Sequence, residues 1–271
     1  MAYRILQIFA ITLFCFCGVE ANEISDSKAN TISDKEARDG WRLLWDGKTL
    51  DGWVGVKNKF LKPPTKGWLI KDGVLTVLPI AKISSDGKWQ LLPKDERIGG
   101  GGDIVTKEKF KDFIFKFDFK LTRAANSGIK YFYNENIDDA TCVEYQILHP
   151  AHPDAEKGVS GNRKSASLYD IFPANADKFL KISDEWNTGM IVSKGGKIEH
   201  WLNGEKVLEY DRASQAYREG VEKSKYAKLG KGDDGSAQPW GISPIGRILI
   251  QDHTDSTVSF RNLKIKVLSD K

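Results

Sequence analysis

Between residues 113 and 121, Phe113, Phe115, Phe117, Phe119 and Leu121 alternate with Ile114, Lys116, Asp118 and Lys120. A period of two is the repeat of a β-strand, whose successive side chains point to opposite faces. One face of this strand is a row of aromatic rings and the other is mostly charged. The rings have to be laid against a second apolar layer while the charged face meets solvent, so the chain must supply more sheet.

Shorter runs of the same kind provide it. Trp41-Arg42-Leu43-Leu44-Trp45 runs into Asp46-Gly47, and Trp68-Leu69-Ile70 and Val74-Leu75-Thr76-Val77 flank Lys71-Asp72-Gly73. Residues 128–133, 142–148, 186–193, 198–202, 205–210, 248–253 and 258–267 read as further strands. Asn203-Gly204 between two of them is a type I′ hairpin signal. No long amphipathic helix is visible, although residues 212–228 have room for a short one. Many short strands without alternating helices predict an all-β sandwich. Residues 150–180 and 211–246 are long irregular stretches, which a domain of this kind keeps mainly for a functional site.

The first 21 residues read as a cleaved secretory leader. Arg4 is its basic end, Ile5 to Gly18 is apolar apart from Gln7 and Thr12, and Val19-Glu20-Ala21 is a cleavage site. The apolar run is too short, and lacks the basic flank, for a membrane anchor. Phe14 and Phe16 stand where a lipoprotein signal needs small residues before Cys15 or Cys17. A periplasmic or secreted location is expected, with no membrane span once the leader is gone. Residues 22–39 read as a polar linker, and a single domain follows over 40–268. Cys142 is the one cysteine beyond the leader, which excludes an intrachain disulfide. An aromatic core has to hold the fold, and 8 Trp, 8 Tyr and 13 Phe suit that demand. The 41 basic and 37 acidic residues are interspersed, leaving a net charge of +4 with no basic stripe, so nucleic-acid binding is not expected.

Functional groups gather on strand faces. In Cys142-Val143-Glu144-Tyr145-Gln146-Ile147-Leu148-His149-Pro150, strand alternation separates Glu144 and Gln146 from Val143, Tyr145 and Ile147. That polar face is either a solvated surface or the floor of a site. In Leu249-Ile250-Gln251-Asp252-His253, Gln251 and His253 point away from the core side, and a histidine beside carboxylates is suited to proton transfer near neutral pH. His200 shares a face with Ile198 and Leu202, the usual setting of a core histidine. Trp201 beside Glu199 has the shape to stack on a sugar ring, although a structural Trp is commoner. Gly99-Gly100-Gly101-Gly102 lacks the Lys and Ser/Thr of a phosphate loop and predicts a closely approached turn. No spacing matches a zinc site, a calcium loop or a serine-hydrolase elbow. The sequence requires no cofactor, and a divalent cation held by scattered His and Asp stays open, as does the oligomeric state.

Taken in order, several segments resemble a known family. They are Gly40 to Trp53, Gly102-Asp103-Ile104, Asn126-Ser127-Gly128-Ile129, Glu144 to Leu148, Leu168-Tyr169-Asp170, Glu185-Trp186-Asn187, Glu199 to Gly204 and Gln251-Asp252-His253. The chain resembles the 3-keto-disaccharide hydrolase domain family over residues 40–268. The resemblance implies a concanavalin A-like jelly-roll sandwich that acts on glycosides whose sugar carries a ketone at C3. Such a ketone acidifies the C2 hydrogen; its removal gives an enolate that expels the C1 substituent, and water adds back. Glycosidases of this fold commonly carry two or three alternating carboxylates on one strand, where this chain reads Glu144-Tyr145-Gln146, and one base with a polar cradle suits elimination better. Glu144 and His253 are expected as the acid/base pair. Asn126, Lys130, Gln146, Tyr169, His200, Gln251 and Asp252 are expected around the substrate. A carbohydrate-binding module without catalysis and a conventional glycoside hydrolase are the competing readings, since the fold hosts all three.

Overall fold

The computed structural model describes residues 29–84, 88–134, 142–182, 184–229, 240–254 and 257–269. The expected leader lies outside these residues. Fifteen strands form among them: β1 (Trp41–Leu43), β2 (Trp53–Gly55), β3 (Trp68–Lys71), β4 (Val74–Val77), β5 (Ala81–Ile83), β6 (Trp89–Leu91), β7 (Ile104–Thr106), β8 (Phe113–Leu121), β9 (Asn126–Tyr133), β10 (Val143–Leu148), β11 (Asn187–Lys194), β12 (Lys197–Leu202), β13 (Glu205–Asp211), β14 (Arg247–Ile250) and β15 (Val258–Val267). Two α-helices join them, α1 (Asp34–Arg38) and α2 (Gln215–Lys223), and a 3-10 turn over Lys225–Lys228 follows α2.

The strands form two main antiparallel sheets, as a jelly-roll sandwich requires. One runs β13-β12-β11-β8-β15-β4-β3, with β1 also paired to β15, and the other runs β10-β9-β14-β7-β2. The long aromatic strand β8 lies inside the larger sheet, between β11 and β15. Its rings meet the smaller sheet across the core: Phe117 stands edge-on to Tyr145 of β10 at 5.3 Å. Gly189 of β11 leaves room for the Phe117 ring, since a Cβ there would overlap it. Phe115, Phe117, Phe119, Ile129, Tyr145, Ile250 and Phe260 are fully buried. Each such side chain contributes roughly 1.5–3 kcal/mol on burial.

The hairpins form where residues that accept positive φ occur. Asn203 and Gly204 adopt φ 50° and 90°, and Asp72 and Gly73 adopt 50° and 71°, giving the two-residue turns that join β12 to β13 and β3 to β4. The end of the expected linker is structured. Ser33 and Glu36 make a reciprocal capping box at the start of α1. Lys264 of β15 donates to Glu36 at 2.7 Å. Asn30 and Asn262 exchange bonds between backbone amide and side-chain oxygen at 2.6 and 2.8 Å.

The smaller sheet is covered on both sides. Every residue of β2, β7, β9 and β10 is buried. On its outer face Val54, Val105, Tyr133, Cys142 and Leu249 form a second apolar cluster, packed against Val56 and Phe60. Residues 166–169 add an edge alongside β10: the Ala166 amide donates to the Gln146 carbonyl at 2.8 Å, and the Tyr169 amide to that of Glu144 at 3.0 Å. The long loops therefore wall the outer face of this sheet.

Candidate active site

The polar row of β10 lies on that walled outer face. Glu144 is 4% exposed and Gln146 2%, so this is not a solvated surface. In the β9–β10 ladder Glu144 stands opposite Lys130, Gln146 opposite Gly128, and Leu148 opposite Asn126. Antiparallel partners share a face, which sets Asn126, Lys130, Glu144 and Gln146 on one floor. Gly128 is part of the design, because a Cβ there would overlap Oε1 of Glu144. The carboxylate lies across the bare backbone of the neighbouring strand.

Burial pushes the Glu144 carboxyl above the usual carboxylate range, with Lys130, Lys225 and His253 pulling against the rise and Asp103 adding to it. Asp103, just before β7, is also raised by burial, opposed first by Lys130. One buried ammonium thus serves a buried carboxylate and a half-buried one, and a lysine in such a site is suited to hold developing negative charge. Beneath them the Cys142 thiol is pushed up to about 12 by burial, which keeps it protonated and unreactive.

β14 is shorter than the expected run to residue 253. The Gln251 amide still donates to the Gly128 carbonyl at 3.0 Å, and then the chain leaves the ladder. Gln251 Oε1 is shielded from solvent and accepts no hydrogen bond among the described residues. An acceptor of that kind costs about 1–3 kcal/mol when left unused, so a substrate hydroxyl is a fitting partner. Asp252, also expected around the substrate, is tied to the backbone around it. Its Oδ2 accepts the Gly102 amide at 2.7 Å, its Oδ1 accepts the Thr254 amide at 3.1 Å, and its own amide donates to Asp103 Oδ1 at 2.8 Å. Both oxygens are committed to backbone, so Asp252 ties the glycine run to the end of β14. That run is closely approached, as expected: a Cβ on Gly67 would overlap the Gly101 backbone, and one on Gly101 the Lys66 carbonyl.

His253 stands half-buried at the rim. Its ring lies edge-on to that of His152 at 6.0 Å, and its charge is felt by both Glu144 and Asp154. His152 follows the expected strand by only four residues, yet the chain folds it back beside His253. There its Nδ1 caps the turn over Pro153–Glu156 by accepting the Asp154 amide at 3.0 Å.

Tyr169 reaches the same rim. Burial raises its hydroxyl to about 12. The Lys225 ammonium lies 4.3 Å from the centre of its ring and 5.1 Å from that of Tyr226. Asp170 holds this corner by accepting from Arg163 at 2.6 Å and from the Lys225 amide at 2.8 Å. The surrounding protein lowers the pKa of Lys225, partly offset by Glu144 and Asp170. Tyr226 stacks on Trp240 with ring centres 4.0 Å apart.

His200, also expected around the substrate, is not brought to this face. It is fully buried between the sheets, against the core side of β10, with its ring 4.7 Å from that of Tyr145. Nδ1 lies 2.8 Å from the Ala166 carbonyl, so it carries the proton, and Nε2 accepts from the Tyr131 hydroxyl at 2.7 Å. The apolar neighbours Ile198 and Leu202 pointed to this core position. Trp201 likewise lies on the larger sheet, with Nε1 on Glu199. Lys225, Tyr226 and Asp103 are the site-facing groups that sequence patterns did not single out. Asp103 stood only as part of a family-like segment, and Lys225 carried no signal beyond its place in a long irregular stretch.

Among the described residues no group of three or more His, Cys, Asp or Glu is placed to hold a metal ion, and no helix is long and apolar enough to cross a membrane. The floor can take a proton at Glu144, hold negative charge at Lys130 and exchange a proton at His253. Residues 40–266 match the family model of the 3-keto-alpha-glucoside-1,2-lyase-like domain. A 3-keto-disaccharide hydrolase from Bacteroides thetaiotaomicron is 32% identical, covering 92% of this chain and 88% of the relative. Two solved structures from Parabacteroides distasonis, both named as proposed glycosyl hydrolases, also match. The first has a TM-score of 0.68 at 27% identity, covering 89% of this chain and 100% of the other. The second has a TM-score of 0.57 at 26% identity, covering 84% and 99%.

Proposed function

The chain belongs to the 3-keto-alpha-glucoside-1,2-lyase-like family, and from that premise we propose that it cleaves 3-keto-glycosides by removing the C2 proton, eliminating the C1 substituent and adding water. The observation that carries the reading is the buried pair at the centre of the floor, Glu144 directly opposite Lys130. Glu144 is the base. Burial raises its pKa, which makes it a stronger proton acceptor at the pH where it is ionised. Lys130 faces the negative charge that develops on the C3 oxygen as the C2–H bond breaks. His253, nearer solvent, gives a proton to the departing C1 oxygen. Water then adds at C1 and a proton returns to C2, so the sum is hydrolysis of the glycosidic bond. Asn126, Gln146, Gln251 and Tyr169 surround the ring, with Gln251 Oε1 as an acceptor for a hydroxyl. The leader reading puts this reaction in the periplasm or outside the cell.

One observation favours a second reading. Asp103 shares the floor with Glu144, and two carboxylates flanking a sugar are the machinery of a conventional glycosidase. Activity of wild type and of Glu144→Gln on a 3-keto-disaccharide and on its unoxidised parent separates the two. The proposal expects turnover of the keto substrate alone, lost in the variant. Cleavage of both sugars, or a fully active Glu144→Gln, overturns it.

A further inference from the structure

The β5–β6 hairpin belongs to neither main sheet. Among the described residues its two strands pair only with each other. A free two-stranded ribbon is marginal in water, so the ribbon depends on its ties. At its base the Ile80 amide donates to the Thr254 carbonyl at 2.6 Å, and the Leu92 amide to that of Ile80 at 2.9 Å. Arg97 Nε donates to the Leu92 carbonyl at 2.6 Å. Thr254 immediately follows His253, so the ribbon is fastened at the rim of the site.

All three residues of β6 are exposed, and two are large and apolar: Trp89 is 36% exposed and Leu91 62%. They are two residues apart on one strand and therefore share a face. The Trp89 ring lies 5.5 Å from that of His152, which in turn lies 6.0 Å from that of His253. A file of three rings thus leads from the exposed ribbon to the proton donor. Glu144 and Lys130 hold C2 and C3 of the oxidised ring on the floor, so a group beyond His253 is on the C1, leaving side.

We propose that Trp89 is a specificity-determining residue that forms the platform for the leaving half of the substrate, with Leu91 extending it, and that the ring bound there is an unoxidised pyranose. The C–H face of a pyranose is apolar and matches an indole plane, while its hydroxyls stay in water at this open rim. This inference rests on the reading above. The platform touches no reacting atom. It supplies binding energy from a remote part of the substrate, which positions the C1 oxygen near His253.

The test compares wild type, Trp89→Ala and Trp89→Phe on a 3-keto-disaccharide and on methyl 3-keto-glucoside, whose leaving group is too small to reach the ribbon. Trp89→Ala should lose about tenfold or more in kcat/KM on the disaccharide and change less than about twofold on the methyl glycoside. Trp89→Phe should recover most of the loss. Equal losses on both substrates would show that Trp89 acts only by holding His152 or the loop, and no loss on either would show that nothing binds there; both results overturn the platform. Absence of wild-type turnover on both substrates would sink the reaction itself, a result distinct from either.

Discussion

Oε1 of Glu144 occupies the space that a Cβ on Gly128 would fill. The carboxylate's position is therefore set by a missing side chain on the next strand. Gly128→Ala should displace Glu144 and lower kcat/KM by about 100-fold, the usual cost of moving a reacting group by an ångström. Steady-state kinetics and circular dichroism check this together: the expected outcome is a folded protein with little activity, and full activity would contradict it.

Burial makes the ionised form of Glu144 costly to the fold. Its folded pKa lies above the ordinary 4.5, so charging it at neutral pH opposes folding. Glu144→Gln should raise the melting temperature at pH 7, and the gain should fade as the pH drops through the folded pKa toward 4.5. The acid limb of wild-type kcat/KM should lie above the ordinary carboxylate range. Lys130→Met removes the largest opposing charge, so it should move that limb to still higher pH while lowering kcat. A limb that stays in place contradicts the pairing.

His200 serves the core. The Tyr131 hydroxyl donates to its Nε2 and accepts from the Tyr210 hydroxyl at 2.6 Å, completing a buried chain that ends on the Ala166 carbonyl. His200→Phe leaves that carbonyl without its donor and should cost about 1–3 kcal/mol in urea unfolding, with kcat/KM within about twofold. Burial lowers the His200 pKa from 6.5 to about 4. Above 6.5 both folded and unfolded states are neutral there and stability is full. Between 6.5 and 4 the unfolded chain takes up a proton that the folded one refuses, so stability falls. The variant should lack this part of the pH dependence.

The N-terminal helix is pinned by Lys264. Burial pushes the Glu36 carboxyl up, and the bonds from Lys264 and Ser33 outweigh this to bring it from 4.5 to about 2. A depressed carboxylate stabilises the fold above its unfolded pKa and loses that effect as the pH falls through its folded value. Lys264→Met should lower stability by up to about 1 kcal/mol at pH 7 and by much less near pH 2. Unfolding curves at the two pH values check it.

The sandwich was legible where its cause is local. Alternation along β8 sets strand and face residue by residue, and Asn203-Gly204 and Asp72-Gly73 carry their turn geometry in two positions. The polar row Glu144/Gln146 was legible as a row but not as a buried one, because its cover comes from residues far along the chain. Lys225 acts electrostatically on Glu144 from the turn after α2, and no short-range pattern announces that influence. Asp252 and His253 are neighbours of similar promise in sequence. Only the folded glycine run shows that the first is taken up by backbone amides and the second is not part of that tie. His152 lies in the loop beyond the strand, and that loop turns back to set it beside His253.

In the proposed reaction Glu144 breaks the C2–H bond before the sugars part. Turnover of a 3-keto-disaccharide carrying deuterium at C2 tests it most directly, with the label followed by mass spectrometry against a time-matched Glu144→Gln control. Elimination through Glu144 should give slower cleavage than for the protiated substrate, and loss of deuterium from the released keto sugar that only the active enzyme brings about. Cleavage at the unlabelled rate with the deuterium still at C2 would contradict it.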